Sequence, residues 1–311
     1  MIMKAITNIL IITVFLSGVI SLYSCRDKKE EIVSPDPVVE IPNNGSTKDS
    51  IKVYETKQPF ILIEDKAFEA ILIITDIDKD NQINGKVALE DIENIDTLNI
   101  SRDYIFKRHL KKLLEIIDER YPNANFIDGH QIVAKNLKGI ENFKKLKYLD
   151  CTFNLLDSLD LSKNTTLTHL IYNQTSLKYL NISKCKNLKV LDLGPGLVSL
   201  SFATPLKKID ISKNPELEEL RLSAMVEEID FSKNTKLKAI DVRFCYVLKN
   251  LDLSNLTNLS SFLAINCEKM NNVCLSEKSI SKIDTTTVEY INGHPRFIWA
   301  KDYWTFWGKC N

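Results

Sequence analysis

From about Leu137 onward the chain repeats one short pattern: an apolar residue, a variable residue, then a second apolar residue, returning after roughly 9 to 11 positions. The clearest copies continue into Ser-Lys or a bare Ser. They are Leu159-Asp160-Leu161-Ser162-Lys163-Asn164, Leu180-Asn181-Ile182-Ser183-Lys184-Cys185, Ile209-Asp210-Ile211-Ser212-Lys213-Asn214, Ile229-Asp230-Phe231-Ser232-Lys233-Asn234 and Leu251-Asp252-Leu253-Ser254. Half-repeats lie between them: Leu149-Asp150-Cys151, Leu170-Ile171-Tyr172, Leu191-Asp192-Leu193, Leu220-Arg221-Leu222, Ile240-Asp241-Val242 and Phe262-Leu263-Ala264. Taken in pairs they give one longer period, about twice the half-repeat spacing. Apolar-x-apolar is a short strand with one buried face. No such strand can bury that face alone, so the pattern predicts coils stacked about 4.8 Å apart around a continuous core. The Asn after Ser-Lys falls at the turn, where its buried amide would bond backbone groups of neighbouring coils; Cys185 takes that slot once. Half-coils this short leave little room for helix.

The preceding segment has helical periodicity instead. Glu64 to Ile74 predicts a helix with Asp65 as N-cap and Phe68, Ile71 and Leu72 on one face. A second short helix is expected from Ala88 to Ile95. A stronger one is expected from Ser101 to Glu119, with Phe106, Leu110, Leu113, Leu114 and Ile117 inward and Lys107, Arg108, Lys111 and Lys112 outward. Tyr121-Pro122 ends it.

The repeat phrases resemble the leucine-rich repeat, Leu-x-x-Leu-x-Leu-x-x-Asn. The Leu-Asp-Leu-Ser-Lys-Asn variant resembles the leucine-rich-repeat lipoproteins of Gram-negative gut and oral bacteria, and Leu137-Lys138-Gly139-Ile140-Glu141-Asn142-Phe143 resembles the lead-in to their first repeat. The likeness covers about Leu137 to Ile283. It implies a β-rich leucine-rich-repeat solenoid of the α/β class with a small helical N-terminal cap, and a binding rather than catalytic role. Two departures stand out. The helix at 101–119 lies where such proteins pass almost directly into the repeats. Leu191, Leu200 and Ile209 follow one another at the short end of the half-repeat spacing, so the Ser-Lys-Asn phrases either change face there or are kept in line by an irregular loop.

Residues 1–24 read as a lipoprotein signal peptide: a short n-region with Lys4, an apolar run from Ala5 to Ile20, then Leu22-Tyr23-Ser24-Cys25, which resembles a lipobox with Cys25 acylated. Residues 25–57 read as a lipid-anchored linker with Pro35, Pro37 and Pro42. The remaining division is an N-terminal cap at 58–136, a solenoid at 137–290 and an aromatic C-terminal cap at 291–311, where Phe297, Trp299, Tyr303, Trp304, Phe306 and Trp307 crowd together. This predicts an outer-membrane, lipid-anchored protein facing the cell surface.

Charge removes one class of partner. Forty-one Lys and Arg balance forty-one Asp and Glu, so the basic footprint of a nucleic-acid binder is lacking. Four His and no phosphate-binding glycine loop supply no catalytic set, and the chain reads as a non-enzyme. The expected partners are a protein ligand, with a glycan as the alternative, and the membrane through the anchor. The half-repeats vary at their outward positions, which marks Tyr148, Asp150, Thr152, His169, Ile171, Asn173, Arg221, Arg243 and Phe244 as the expected recognition surface. The column of Asp160, Asp210, Asp230 and Asp252 reads instead as a solvated scaffold face, offset by Lys163, Lys213 and Lys233. Asp76, Asp78 and Asp80 have the spacing of the first ligands of an EF-hand, with Gln82 at the carbonyl position, so calcium is the one candidate cofactor. Val87 stands where the bidentate Glu belongs, and Glu90 would serve only through a longer loop. Cys245 and Cys267 are separated by one full repeat, would stack in adjacent coils and are a candidate disulfide.

Overall fold

The computed structural model describes residues 59–116, 127–128, 131–173, 177–194, 206–222, 225–264, 267, 269–270 and 272–283, and the backbone strands at 288–291, 294–297 and 307–308. All of these belong to one unit, Thr56–Asn311. The expected signal peptide, Cys25 and linker lie outside the described residues, as do the side chains of the aromatic C-terminus. Among the described residues no helix is long and apolar enough to cross a membrane.

The cap begins with strand β1 (Phe60–Leu62) and helix α1 (Lys66–Ile74). Asp65 caps α1 as expected, its Oδ1 accepting the Ala67 and Phe68 N–H groups at 2.8 and 3.0 Å. Its other oxygen accepts from Lys135 and Asn136, which ties the cap to the lead-in of the repeats. Ala67 to Ile74 are all buried, so α1 is a core helix rather than the one-sided element the pattern suggested. Strand β2 (Lys86–Ala88) pairs antiparallel with β1 and leads into the short α2 (Leu89–Ile92). Gly139, at φ 102°, sits against β1 so tightly that a Cβ there would lie 2.9 Å from the Leu62 carbonyl oxygen.

Strand β3 (Thr97–Asn99) follows and joins the main sheet of the solenoid, well before the repeat signal begins at Leu137. The inserted helix α3 (Arg102–Leu114) and a small hairpin, β4 (Ile127–Asp128) with β5 (Gln131–Ile132), therefore lie inside the first coil. In α3, Ile105 and Leu113 face the core, with Ile116 just beyond, while Phe106 is 53% and Leu110 41% exposed. The expected stripe is thus turned outward at three of its positions, Leu114 being exposed as well. The helix departs from helical geometry at His109 (φ −125°, ψ 23°), which re-aims the residues after it.

The repeats then supply β6 (Tyr148–Asp150), β7 (Ser158–Asp160), β8 (His169–Ile171), β9 (Tyr179–Asn181), β10 (Val190–Leu193), β11 (Glu219–Leu222), β12 (Ala239–Asp241), β13 (Asn250–Leu253), β14 (Ser261–Leu263) and β15 (Asn272–Leu275), on two faces that alternate except where the phrases at 209–211 and 229–231 form no strand. After α4 (Glu277–Ile280) come an antiparallel pair, β16 (Val288–Ile291) and β17 (His294–Phe297), and β18 (Trp307–Gly308). The main face is a seven-stranded parallel sheet in the order β3-β6-β8-β10-β11-β12-β14. On the second face β7 pairs with β9, and β13, β15 and β18 form a three-stranded end. Strand β18 continues that sheet past the last repeat, in the place a cap would take.

The turn Asn behaves as its position predicts. Asn164 Nδ2 donates to the Ile140 and Phe143 carbonyls, Asn214 to Ile182 and Cys185, and Asn234 to Ile211 and Asn214, at 2.8 to 3.2 Å. Cys185 fills its slot by donating Sγ–H to Leu161 and Asn164. Because Asn214 reaches back to Cys185 directly, the Ser-Lys-Asn phrases stay on one face. The register agrees: His169 pairs with Val190 and Val190 with Glu219. The coil from Val190 to Glu219 is therefore longer than the one before it, and its extra residues leave the strands in line.

Candidate recognition face

Each strand of the main sheet points two residues outward, in rows that run across the coils. The first row is Thr97, Tyr148, His169, Val190, Glu219, Ala239 and Ser261. The second is Asn99, Asp150, Ile171, Asp192, Arg221, Asp241 and Leu263. Of the residues expected to bind, Tyr148, Asp150, His169, Ile171 and Arg221 lie in these rows and are brought together. Asn173 and Arg243 lie just past their strands. Thr152 is largely buried instead, and its Oγ1 accepts the Asn173 N–H at 3.3 Å, so it braces the turn. Phe244 adopts φ 66°, and Phe153, at the same place in an earlier coil, adopts φ 63°. A left-handed backbone at a bulky residue costs about 1–2 kcal/mol. The two rings are held at the edge of the face, Phe153 under the Arg102 guanidinium at 4.3 Å.

The second row carries a folding duty. Asp150, Asp192 and Asp241 each accept the backbone N–H two residues on, from Thr152, Gly194 and Arg243. Asn99 does the same for Ser101. These side chains close the corner where the strand ends. The opposite face uses the same device: Asp160, Asp210, Asp230 and Asp252 accept from Ser162, Ser212, Ser232 and Ser254.

The two faces differ in electrostatics. Hydrogen bonds from Ser212, Ser232 and Ser254 hold Asp210, Asp230 and Asp252 below the ordinary carboxylate range, and Lys213 and Lys233 add to the effect at the first two. On the main face burial pushes the Asp150 and Asp192 carboxyls up, against the pull of their hydrogen bonds. Burial, and then these two carboxylates, raise Tyr148 as well. Asp192 Oδ2 pairs with Arg221 at 3.2 Å, and Asp241 pairs with Arg243 at 2.6 Å. Asp192 and Asp241 were not among the residues expected to bind, although they share the row of Asp150, Ile171 and Arg221, and that alignment was the available signal.

The acidic loop is arranged differently from its spacing. Asp76 ion-pairs with Lys112 at 2.5 Å. Asp78 is buried, Asp80 is tied to Gln82 N–H and Asn84, and Gln82 and Glu90 are exposed. Among the described residues no group of three or more His, Cys, Asp or Glu side chains is placed to hold a metal ion, so the five expected ligands do not assemble. Lys112 comes from the inserted helix, which the loop spacing alone cannot reveal. Glu69 anchors the loop from α1, its Oε1 accepting the Asn84, Gly85 and Lys86 N–H groups.

Cys245 and Cys267 keep their thiols, which corrects the candidate disulfide. Each is buried and turned onto the preceding coil, donating to the Leu222 and Val242 carbonyls at 3.5 and 3.0 Å. They occupy the slot that Asn fills elsewhere, so their sulfurs serve the backbone ladder. Cys274 is disulfide-bonded.

No protein-family model matches the chain, and comparison with curated proteins gives no match. Solved structures do. The functional domain of InlJ from Listeria monocytogenes, which includes a cysteine ladder, aligns with a TM-score of 0.51 and 21% identity over 72% of this chain and 41% of that one. An internalin, InlF, from Listeria monocytogenes aligns with a TM-score of 0.42 and 19% identity over 70% and 65% of the two chains. A leucine-rich-repeat protein of Leptospira interrogans gives 0.33 and 17% over 49% and 50%. This chain thus spans less than two thirds of the length of each. Read with the register and the Asn turns, the first likeness fixes the architecture: the chain folds as a leucine-rich-repeat solenoid.

Proposed function

We propose that this chain is an exported binding module, anchored in the outer membrane through a lipidated Cys25 and recognising a protein ligand through the main sheet face. One observation carries the recognition reading. Two faces share one turn device, yet among the described residues only the main face combines partly desolvated carboxylates, guanidinium groups and aromatic rings in rows of differing side chains. Perturbed ionisable groups gathered on a rigid surface mark a site rather than a scaffold. The second face, with its comfortable anions and flanking lysines, reads as solvated support. The signal-like N-terminus and the lipobox support export and anchoring, and no catalytic step is assigned.

The test has two arms. Protease shaving of intact cells, read by mass spectrometry, should release peptides from 137–283. Protection until lysis would place the repeats inside and favour an accessory lipoprotein of an envelope complex, structural or glycan-related. A photo-crosslinking residue at Ile171 should capture a protein that one at Lys233, on the second face, does not. Equal capture at both would remove the recognition face.

A further inference from the structure

The two halves of the main face differ in how their charge is balanced. Toward the C-terminal end, Arg221 and Arg243 cover Asp192 and Asp241. Toward the N-terminal end, the outward residues of β3, β6, β8 and β10 are Thr97, Asn99, Tyr148, Asp150, His169, Ile171, Val190 and Asp192. They include two carboxylates and no Lys or Arg; of the two, Asp192 is met by Arg221 from the next strand, and Asp150 has no such ion pair. On the flank, Lys147 and Lys189 are engaged by Asp96 at 3.3 Å and Glu218 at 3.6 Å. The charge that acts on Asp150 is that of Asp103, another acid. Asp150 and Asp192 flank Ile171 one strand away on either side, about 10 Å apart in strand spacing. Beside them, the Tyr148 and His169 rings lie 6.0 Å apart and form an aromatic wall.

We infer that this half of the face seats a basic side chain of the partner protein, an arginine or lysine, over Ile171, beside Asp150 and against the Tyr148–His169 pair. The inference rests on the recognition reading above and specifies its chemistry. A guanidinium or ammonium there meets opposite charge in a partly dry setting, where charge-assisted hydrogen bonds are strongest. Its stem lies on Ile171, and its charge faces an aromatic ring, which attracts cations within about 6 Å.

The probe is N-acetyl-arginine methylamide, titrated into the 15N-labelled protein and followed by amide NMR, with N-acetyl-glutamate methylamide as its opposite. The arginine probe should move the amides of 148–150 and 169–171 and the glutamate probe should not. Asp150→Asn should weaken the arginine probe about tenfold, the effect of losing one charged hydrogen bond. Asn closes the same turn at Asn99 and Asn181, so this variant keeps the fold. Asp252→Asn, with the same turn role on the other face, should leave binding unchanged. If the glutamate probe binds as well, or Asp150→Asn has no more effect than Asp252→Asn, the basic-partner inference fails. Should crosslinking at Ile171 still capture a protein in that case, the recognition face stands with a different chemistry. Silence in both experiments overturns both.

Discussion

At the residue scale the molecule depends on a few side chains that serve the backbone. Asn214 gives the Ile182 and Cys185 carbonyls a second hydrogen bond beside those from the Cys185 and Leu188 N–H groups, while its own Oδ1 is buried without a hydrogen-bond partner. Asn214→Ala removes both links between the coils, though each carbonyl keeps its backbone partner, and should cost about 1–3 kcal/mol in urea unfolding. Asn214→Cys should cost less, since Cys185 performs the same task with a thiol. Asp78 makes a different prediction. Burial first, then Asp80, lift its carboxyl from 3.8 to about 7. The folded chain therefore keeps a proton that the unfolded chain releases above about pH 4. Stability from this group is greatest below about pH 4 and is lost as pH rises toward and through about 7. Asp78→Asn should flatten that slope and be the more stable form near pH 8, by on the order of 2 kcal/mol, measured by thermal melts across pH. The residue-scale roles of Asp65 and the Asn turns were legible because a cap or turn matches a side chain to nearby amides. Those of Asp192, Asp241 and Lys112 were not, because their partners or their alignment come from another coil or another element.

The elements show where periodicity stops informing. Apolar-x-apolar spacing placed most of the strands, since a strand buried on one face has only one way to point; the phrases at 209–211 and 229–231 pack their apolar residues into or against the core without forming a strand. Helix α3 shows the converse. Its apolar residues exceed what one face can bury, and the irregular turn at His109 decides which are covered. Ile105 and Leu113 pack inward; Phe106 does not. Leu113→Ala should therefore cost about 2–4 kcal/mol, and Phe106→Ser should stay within about 0.5 kcal/mol, both read from chemical denaturation. Helix α1 misled in the other direction: one apolar face was visible, but the cap wraps the whole helix and buries even Glu69. The register of β3 was hidden because its single phrase, Leu98 and Ile100 around Asn99, lies outside the repeating block.

At the scale of the whole molecule, the long coil between Val190 and Glu219 is where the stack would divide if neighbouring coils were weakly joined. They are not weakly joined there. Strands β10 and β11 on either side pair over four residues, from Val190 with Glu219 to Leu193 with Leu222, while the other neighbouring pairs of that sheet share three. A solenoid unfolds as one unit when its neighbouring interfaces are comparably strong. Four buried thiols report on this: Cys151 and Cys185 precede the long coil, and Cys245 and Cys267 follow it. Mapped by mass spectrometry after thiol labelling in rising urea, all four should become reactive at one midpoint. Separate midpoints for the two pairs would show a division at the long coil.

That long coil, and the still longer first coil holding α3, separate two properties of the chain. Contour length grows at the corners, while alignment is kept by strand pairing and by Asn reaching back to the coil before. New segments can therefore enter at such corners without moving a single outward side chain relative to its neighbours. In evolutionary terms, an ornament can be added and tested while the recognition surface it borders is inherited unaltered.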